Sequence, residues 1–428
     1  MQALRAWPAS CLGWALFIGV CGSPAAAQGI ADEVRPEGIR LGALVLAPGV
    51  DLVPIGIDTN ILRDPVDPKG DIVGGVMSQL TATVNMRPID IETSTAVAYE
   101  HFAQYSDQRS VNRDHWIRVR TRLPRATLFA SGESIDTRDR VNYDLDSRVR
   151  RMGTAAAVGG EFRITPKTSV TAGARRVDSE YAGDAIIDGI RLQETLQNRA
   201  DKADASIRLR VTPLTTIFAE ADQTRTRFTF SPERDSNSLR LVSGFETSSS
   251  LISGRFSAGY QGFQPLNNSF PSFSDVVGNA DLTFPLGFAT RLQLGVRRDL
   301  AYSYDPTDVL YVVGALQGSI VHRFGTRWQL EGSASRYQLA YRSLVTSDGE
   351  GAPTYSFSDG RVEHGHSVRG GIGFRVRRLV RIGAESEYLT RRSPQHDREY
   401  NGFRANVFLR FGFSTGRQPL SPTIYLHD

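Results

Sequence analysis

Only two cysteines occur in the 428 residues, Cys11 and Cys21, and both fall in the first 21 positions. The rest of the chain is free of thiols, so an exported form of it has no disulfides and must be held together by some other closure. Long hydrophobic runs are also missing. Nothing beyond the N-terminus approaches 18 consecutive apolar residues, which excludes transmembrane helices. Neither sign of charge dominates. Lys+Arg 50 against Asp+Glu 46 leaves a formal +4, too weak an imbalance to argue for a nucleic-acid partner. With 40% hydrophobic residues and a mean hydropathy of -0.27, the chain is lean for a soluble protein with a thick core. What it has in quantity is glycine, 40 residues, which suits closely packed, tightly turned strands better than long helices.

The first residues supply a compartment. Arg5 is the sole charge before Asp32, an apolar stretch runs from Cys11 to Cys21, and Ala25-Ala26-Ala27 precedes Gln28. This three-part pattern reads as a secretory signal peptide over residues 1–27, since the apolar run falls well short of the roughly 20 residues that span a bilayer. A lipoprotein site at Cys21 is disfavoured because Val20 stands where a small residue is expected. Residues 28–38 then form an N-terminal segment on the periplasmic side.

From Ile39 onward apolar and polar residues alternate. In ASIRLRVTPLTTIFAEADQ, residues 205–223, Ile207, Leu209, Val211, Ile217, Ala219 and Ala221 share one face, and Ser206, Arg208, Arg210, Glu220 and Asp222 the other. Such alternation is a β-strand with one oily and one wet side. Eighteen such segments are predicted, near 39–57, 72–86, 89–105, 111–123, 126–138, 150–164, 168–181, 191–211, 215–230, 236–247, 250–264, 273–284, 288–304, 308–324, 327–342, 362–377, 380–392 and 398–413. Tight turns such as Arg87-Pro88, Pro124-Arg125, Gly325-Thr326 and Arg378-Leu379 alternate with longer polar connections such as EYAGDAIIDGIRLQE and SLVTSDGEGAPTYSFSDGR. A transmembrane barrel produces this asymmetry, with short turns on the periplasmic rim and long loops outside.

In a soluble sandwich the oily face would be the core. In a barrel it meets lipid, and closure satisfies every backbone donor and acceptor without a free edge. The alternation of short and long connections favours the barrel, an all-β, single closed antiparallel transmembrane β-barrel of about 18 strands over residues 39–413, with 16 as the fallback and a C-terminal tail at 414–428. Phe162, Phe284, Phe324, Phe411, Phe413, Trp116 and Trp328 are placed near strand ends, as an interfacial aromatic girdle would be.

The stretch GIRLGALVLAPGVDLVPIGIDTNILRDP, residues 38–65, carries Arg-Leu-Gly, Leu-Ala-Pro and Asp-Thr-Asn-Ile elements. It resembles the opening of the outer-membrane β-barrel porin 2 family of Gram-negative bacteria. Beyond residue 65 the resemblance is diffuse and lies in barrel strands such as SAGYQGF. It implies an outer-membrane barrel without catalytic residues, associated with exopolysaccharide production and export.

The residues themselves offer no enzyme chemistry. EHGHSVRGGIGF lacks the Lys-Ser/Thr of a phosphate loop. His364-Gly365-His366 has ligand-like spacing but no evident third ligand, so it reads as two polar rim residues, and no metal or cofactor is expected. The candidate site is instead the wet face. Strand phase places Arg118, Arg120, Arg122, Glu133, Glu161, Arg163, Arg208, Arg210, Glu220, Asp222, Glu331, Arg369, Arg375, Glu385, Arg404 and Arg410 inside as pore-lining residues. Such a lining either cross-links the wall through opposite charges or selects anionic solutes.

The expected function is a porin-like conduit for an exopolysaccharide leaving the cell. The alternatives are a general small-solute porin, or a structural or adhesive barrel with a closed lumen. A chain without room for a plug domain is not expected to be an energised transporter. Expected partners are outer-membrane lipids, the barrel-assembly machinery, the polysaccharide itself and a periplasmic polysaccharide export protein.

Overall fold

A computed structural model describes residues 38–267, 270–347 and 354–413. The expected signal peptide, nearly all of the 28–38 segment and the tail lie outside them. One antiparallel sheet closes on itself. Its eighteen wall strands are, in chain order, β1 Leu44–Asp58, β2 Asp71–Met86, β3 Ile89–Phe102, β4 Ser110–Arg122, β5 Ala126–Arg140, β6 Arg148–Arg163, β7 Thr168–Tyr181, β8 Asn198–Arg210, β9 Thr215–Phe228, β10 Ser236–Ser248, β11 Ser253–Pro265, β12 Phe273–Leu286, β13 Thr290–Tyr302, β14 Leu310–Phe324, β15 Trp328–Ser347, β16 Thr354–Arg377, β17 Val380–Arg392 and β18 Tyr400–Gly412.

Each strand pairs with the next, and β1 also pairs with β18 from Gly49↔Gly412 to Asp58↔Arg404, which closes the ring. Where β18 stops, the short strand Ile39–Leu41 continues the cover of β1 by pairing with residues 44–46. At this seam a Cβ on Gly412 would stand 2.5 Å from the Gly49 Cα, so the ring closes only because the residue is glycine.

The two faces separate by chemistry. Exposed apolar side chains such as Val158, Leu241, Val296, Val368, Val407 and Phe411 alternate with inward polar ones. In an outer-membrane barrel this exposed band faces lipid. At the short-turn rim Phe162, Phe324, Trp328 and Phe411 are exposed, with the Trp328 and Phe374 rings 4.7 Å apart. Toward the loops the strands run past the apolar band, and outward ion pairs appear there, including Arg176–Asp201 at 2.6 Å and Arg199–Asp178 at 2.6 Å.

Four sequence expectations need correction. Trp116 is not a girdle residue. It lies mid-strand on β4, opposite Ser94 and Glu133, with the Arg118 guanidinium 5.9 Å from its ring. The strand expected over 39–57 is broken at Gly42, whose φ of +65° turns the chain back. The strand expected from 191 starts at Asn198, because Ile186–Arg191 makes a small hairpin and Leu192–Leu196 one helical turn. Finally, most of SLVTSDGEGAPTYSFSDGR is not loop but the continuation of β15 and β16, paired as far as Ser347↔Thr354.

Candidate functional site: a lumen with two unlike ends

Register assigns the inward face. Residues directly opposite in neighbouring strands point to the same side, and all sixteen expected lining residues lie on the side away from the exposed apolar set. Along the height of the wall they form short cross-strand ion pairs. Arg122 reaches Asp90 at 2.8 Å, Arg404 reaches Asp58 at 2.7 Å and Arg381 reaches Glu331 at 2.7 Å. Arg369 pairs with Glu385, Asp222 lies 3.5 Å from Lys202, and Arg410 lies 3.9 Å from Asp51.

Glu220 is bound by Arg255, which also reaches Glu246 at 2.8 Å and stacks 3.9 Å over Phe218. Arg255 was missed from sequence, although its place directly opposite Glu246 across a tight turn was the available signal. Arg118 faces Glu92, Arg120 faces Asp90, Glu133 faces Trp116, and Glu161 faces Thr127 and Thr171. Arg163 faces Ser169, Arg210 faces Thr216 and Arg375 faces Arg381.

These side chains are not equally available. Arg369, Arg122 and Arg410 keep 47%, 41% and 40% of their side-chain surface exposed. Arg208 is buried against Glu246 and Phe218, so it is part of the wall rather than a free lining group.

At the loop end the arrangement is different. The loop 141–147 joins β5 to β6, while Tyr337 and Tyr341 stand on β15, nine places round an eighteen-strand ring and therefore on the opposite wall. Yet the Tyr143 and Tyr337 rings stack at 4.1 Å, and the Tyr341 hydroxyl donates to Asp144 at 2.5 Å. Tyr337 can lie flat toward the lumen because its neighbour across the ladder is Gly365, where a Cβ would fall 2.1 Å from the ring.

Other loops close on the same point. Arg398, from the loop 393–399, donates to the Asp144 backbone oxygen at 2.7 Å and to its carboxylate at 3.1 Å. Tyr304, from the loop 303–309, gives its backbone N–H to Asp144 at 3.1 Å and its hydroxyl to Asp188 at 2.7 Å. Arg234 spans from its own loop to the Thr195 carbonyl at 3.0 Å. Arg63 lies 3.5 Å from Asp146, which also accepts from Tyr400. Beneath them Val141, Leu145, Val149, Tyr181, Leu192, Leu196 and Tyr304 form an apolar cluster.

The charges here are dry. Glu363 is wholly buried among Arg391, Arg361 at 3.0 Å and Arg398 at 3.2 Å. Burial pushes the Asp146 carboxyl up, but the fields of Arg63 and Arg140 override it and hold it below the ordinary carboxylate value. Asp305 behaves likewise: burial raises it, and hydrogen bonds from Thr307 and the Arg361 guanidinium bring it below that value. None of these residues was singled out from sequence, because charges in loops read as solvated and nothing local indicates a partner across the barrel.

Comparison with known proteins agrees with the closed barrel. The family described as Putative beta-barrel porin 2 matches residues 32–413. The chain belongs to this family. It is thus a porin-like outer-membrane β-barrel. No curated protein matches it. Among solved structures, the chain is similar to the outer membrane protein OpdK of Pseudomonas aeruginosa, with 13% identity, a TM-score of 0.46, and cover of 85% of this chain and 99% of that one. The siderophore receptor PirA of Pseudomonas aeruginosa matches at 10% identity and TM-score 0.44, over 89% of this chain and 81% of that one. The FrpB iron transporter of Neisseria meningitidis matches at 9% identity and TM-score 0.45, and the 81% of this chain that aligns spans 62% of that transporter's length.

Proposed function

We propose that this porin-like barrel is a gated outer-membrane conduit for anionic passengers, with an exopolysaccharide leaving the cell as the substrate class and the converging loops as the gate. The observation that carries the reading is the unequal state of the charges along the lumen. Arg122, Arg369 and Arg410 are 40–47% exposed on the inward face. Half-hydrated guanidinium groups on a low-dielectric wall attract anions and repel cations. The family resemblance supports a polysaccharide as passenger. The loop cluster, crossing the lumen from β5–β6 to β15, supports control of passage at the outer mouth.

A second reading, a structural barrel whose lumen stays closed, is favoured by the same cross-lumen contacts. Reconstituted channels separate the two. Arg122→Glu with Arg369→Glu shifts the reversal potential toward cations in a conduit, most at low salt where screening is weakest. A protein that passes no current even after the loop contacts are cut is the structural barrel.

A further inference from the structure

At the turn-side rim the tight turn Gly325–Arg327 between β14 and β15, with the ends of β16 and β17, borders a half-open cavity of about 180 Å³ lined by Arg323, Thr326, Arg327, Gln329, Arg375 and Arg381. The ladder builds this group. Arg323 is opposite Gln329, Gln329 opposite Gly373, and Arg375 opposite Arg381, so three of four adjacent strands, together with Arg327 of the turn, present guanidiniums to one space. Gly373 leaves room for Arg381 to lie across the ladder toward Glu331, since a Cβ there would stand 2.5 Å from the Arg381 Nε.

Arg381 is thereby paired and further held 5.5 Å from the Phe408 ring. Among the described residues no carboxylate pairs with Arg323, Arg327 or Arg375. Three like charges around one cavity repel one another, and an anion seated among them removes that repulsion while accepting charge-assisted hydrogen bonds. Thr326 and Gln329 add neutral polar groups on the same wall.

We infer that this cavity is a binding site for a phosphate or carboxylate group arriving from the periplasmic side, either as a free anion or as the repeating charge of an acidic saccharide. Arg323, Gln329, Arg375 and Arg381 lie on the inward face, which separates the site from the lipid-facing band of Ile320, Leu330 and Ile372. The inference goes beyond conduction, because the site binds whether or not the outer mouth opens.

Trp328 also lines the cavity and reports on it. In a Trp116→Phe background it is the sole tryptophan after residue 14, so the refolded barrel in neutral detergent is titrated with inorganic phosphate and, separately, with an oligogalacturonate. The expected result is a saturable, salt-sensitive change in Trp328 fluorescence. Arg323→Gln with Arg375→Gln weakens it at least tenfold, while Arg125→Gln, in another basic turn, leaves it intact. Heat-modifiable gel migration checks that each variant is folded, and the single variants Arg323→Gln and Arg327→Gln replace the double one if it is not. Oligogalacturonate binding at least tenfold tighter than phosphate identifies the saccharide as the source, and equal affinities identify a free anion. No saturable response, an unchanged response in the arginine variants, or a response confined to phosphatidylglycerol-containing micelles overturns the inference.

Discussion

The two ends of the lumen contain the same residue types in opposite states. At the loop end Glu363, Asp144, Arg391 and Arg398 are buried and multiply paired across the barrel. Below it, Arg122 and Arg410 near the turns and Arg369 at mid-strand are nearly half exposed and paired across a single ladder step or less tightly. The connections differ too. The turns between strands carry Arg87, Arg125, Lys167, Arg327 and Arg378 and no acid, whereas the loops are rich in Asp and Glu, including Asp144, Asp146, Asp184, Asp188 and Glu194. The difference teaches that a charge's role follows from hydration. Dry, networked charges fix one geometry, because losing a partner strands the others. Wet ones contribute little to stability and stay available to a passing ion.

The largest expected effect breaks the dry end. Glu363→Ala leaves Arg361, Arg391 and Arg398 without their shared carboxylate. Removing one partner from a buried charge set costs about 3–5 kcal/mol. Limited trypsin digestion is expected to cut the loop at Arg398 in the variant and to spare it in the parent.

A smaller effect sharpens the contrast between inside and outside. Val407 is 58% exposed on the lipid side of β18, with Asn406 its inward neighbour. Val407→Arg is expected to cost up to about 2–4 kcal/mol if it sits near the bilayer midplane, and Asn406→Arg much less. Folded protein in outer-membrane fractions is expected to fall for the first and hold for the second.

How much of this was legible beforehand follows the range of the interactions. Strand number, closure and facing follow from alternation and turn spacing, which are local. The side taken by Trp116 was legible as well, because Ile117 and Val119 already face lipid and the alternation turns Trp116 inward. The loop end was not. Asp144 and Tyr341 are 197 positions apart, and Arg398 and Asp144 254, so no window of sequence joins them. The extension of β15 and β16 was masked by Gly and Ser residues, which read as loop until pairing is seen.

Acid tests the dry end by degrees. Asp146 and Asp305 titrate below their ordinary values in the folded state. Their contribution is therefore full above the unfolded carboxylate pKa of about 3.9 and is lost as pH falls through the lower folded values. Protease protection of the loops is expected to be flat from pH 8 to about 4 and to decline below that. Loss of protection near pH 6 would contradict the assignment.

The smallest stability effect belongs to the wet stretch of the wall. Arg369→Ala breaks the pair with Glu385 where the arginine is 47% exposed, so it is expected to change unfolding free energy by no more than about 1 kcal/mol. The same variant is expected to reduce anion preference measurably in reversal-potential recordings at low salt.

Conductance of single reconstituted barrels, wild type beside Asp144→Asn with Arg398→Gln, tests most directly whether the loop contacts gate a hydrated lumen. These substitutions weaken the links from the loop 141–147 to Tyr341 and from the loop 393–399, and leave the wall ladder untouched. The account predicts a wild type that is closed or nearly so and a variant whose open conductance rises at least fivefold with a preference for anions. Equal conductance in the two proteins, or none in either, would contradict it.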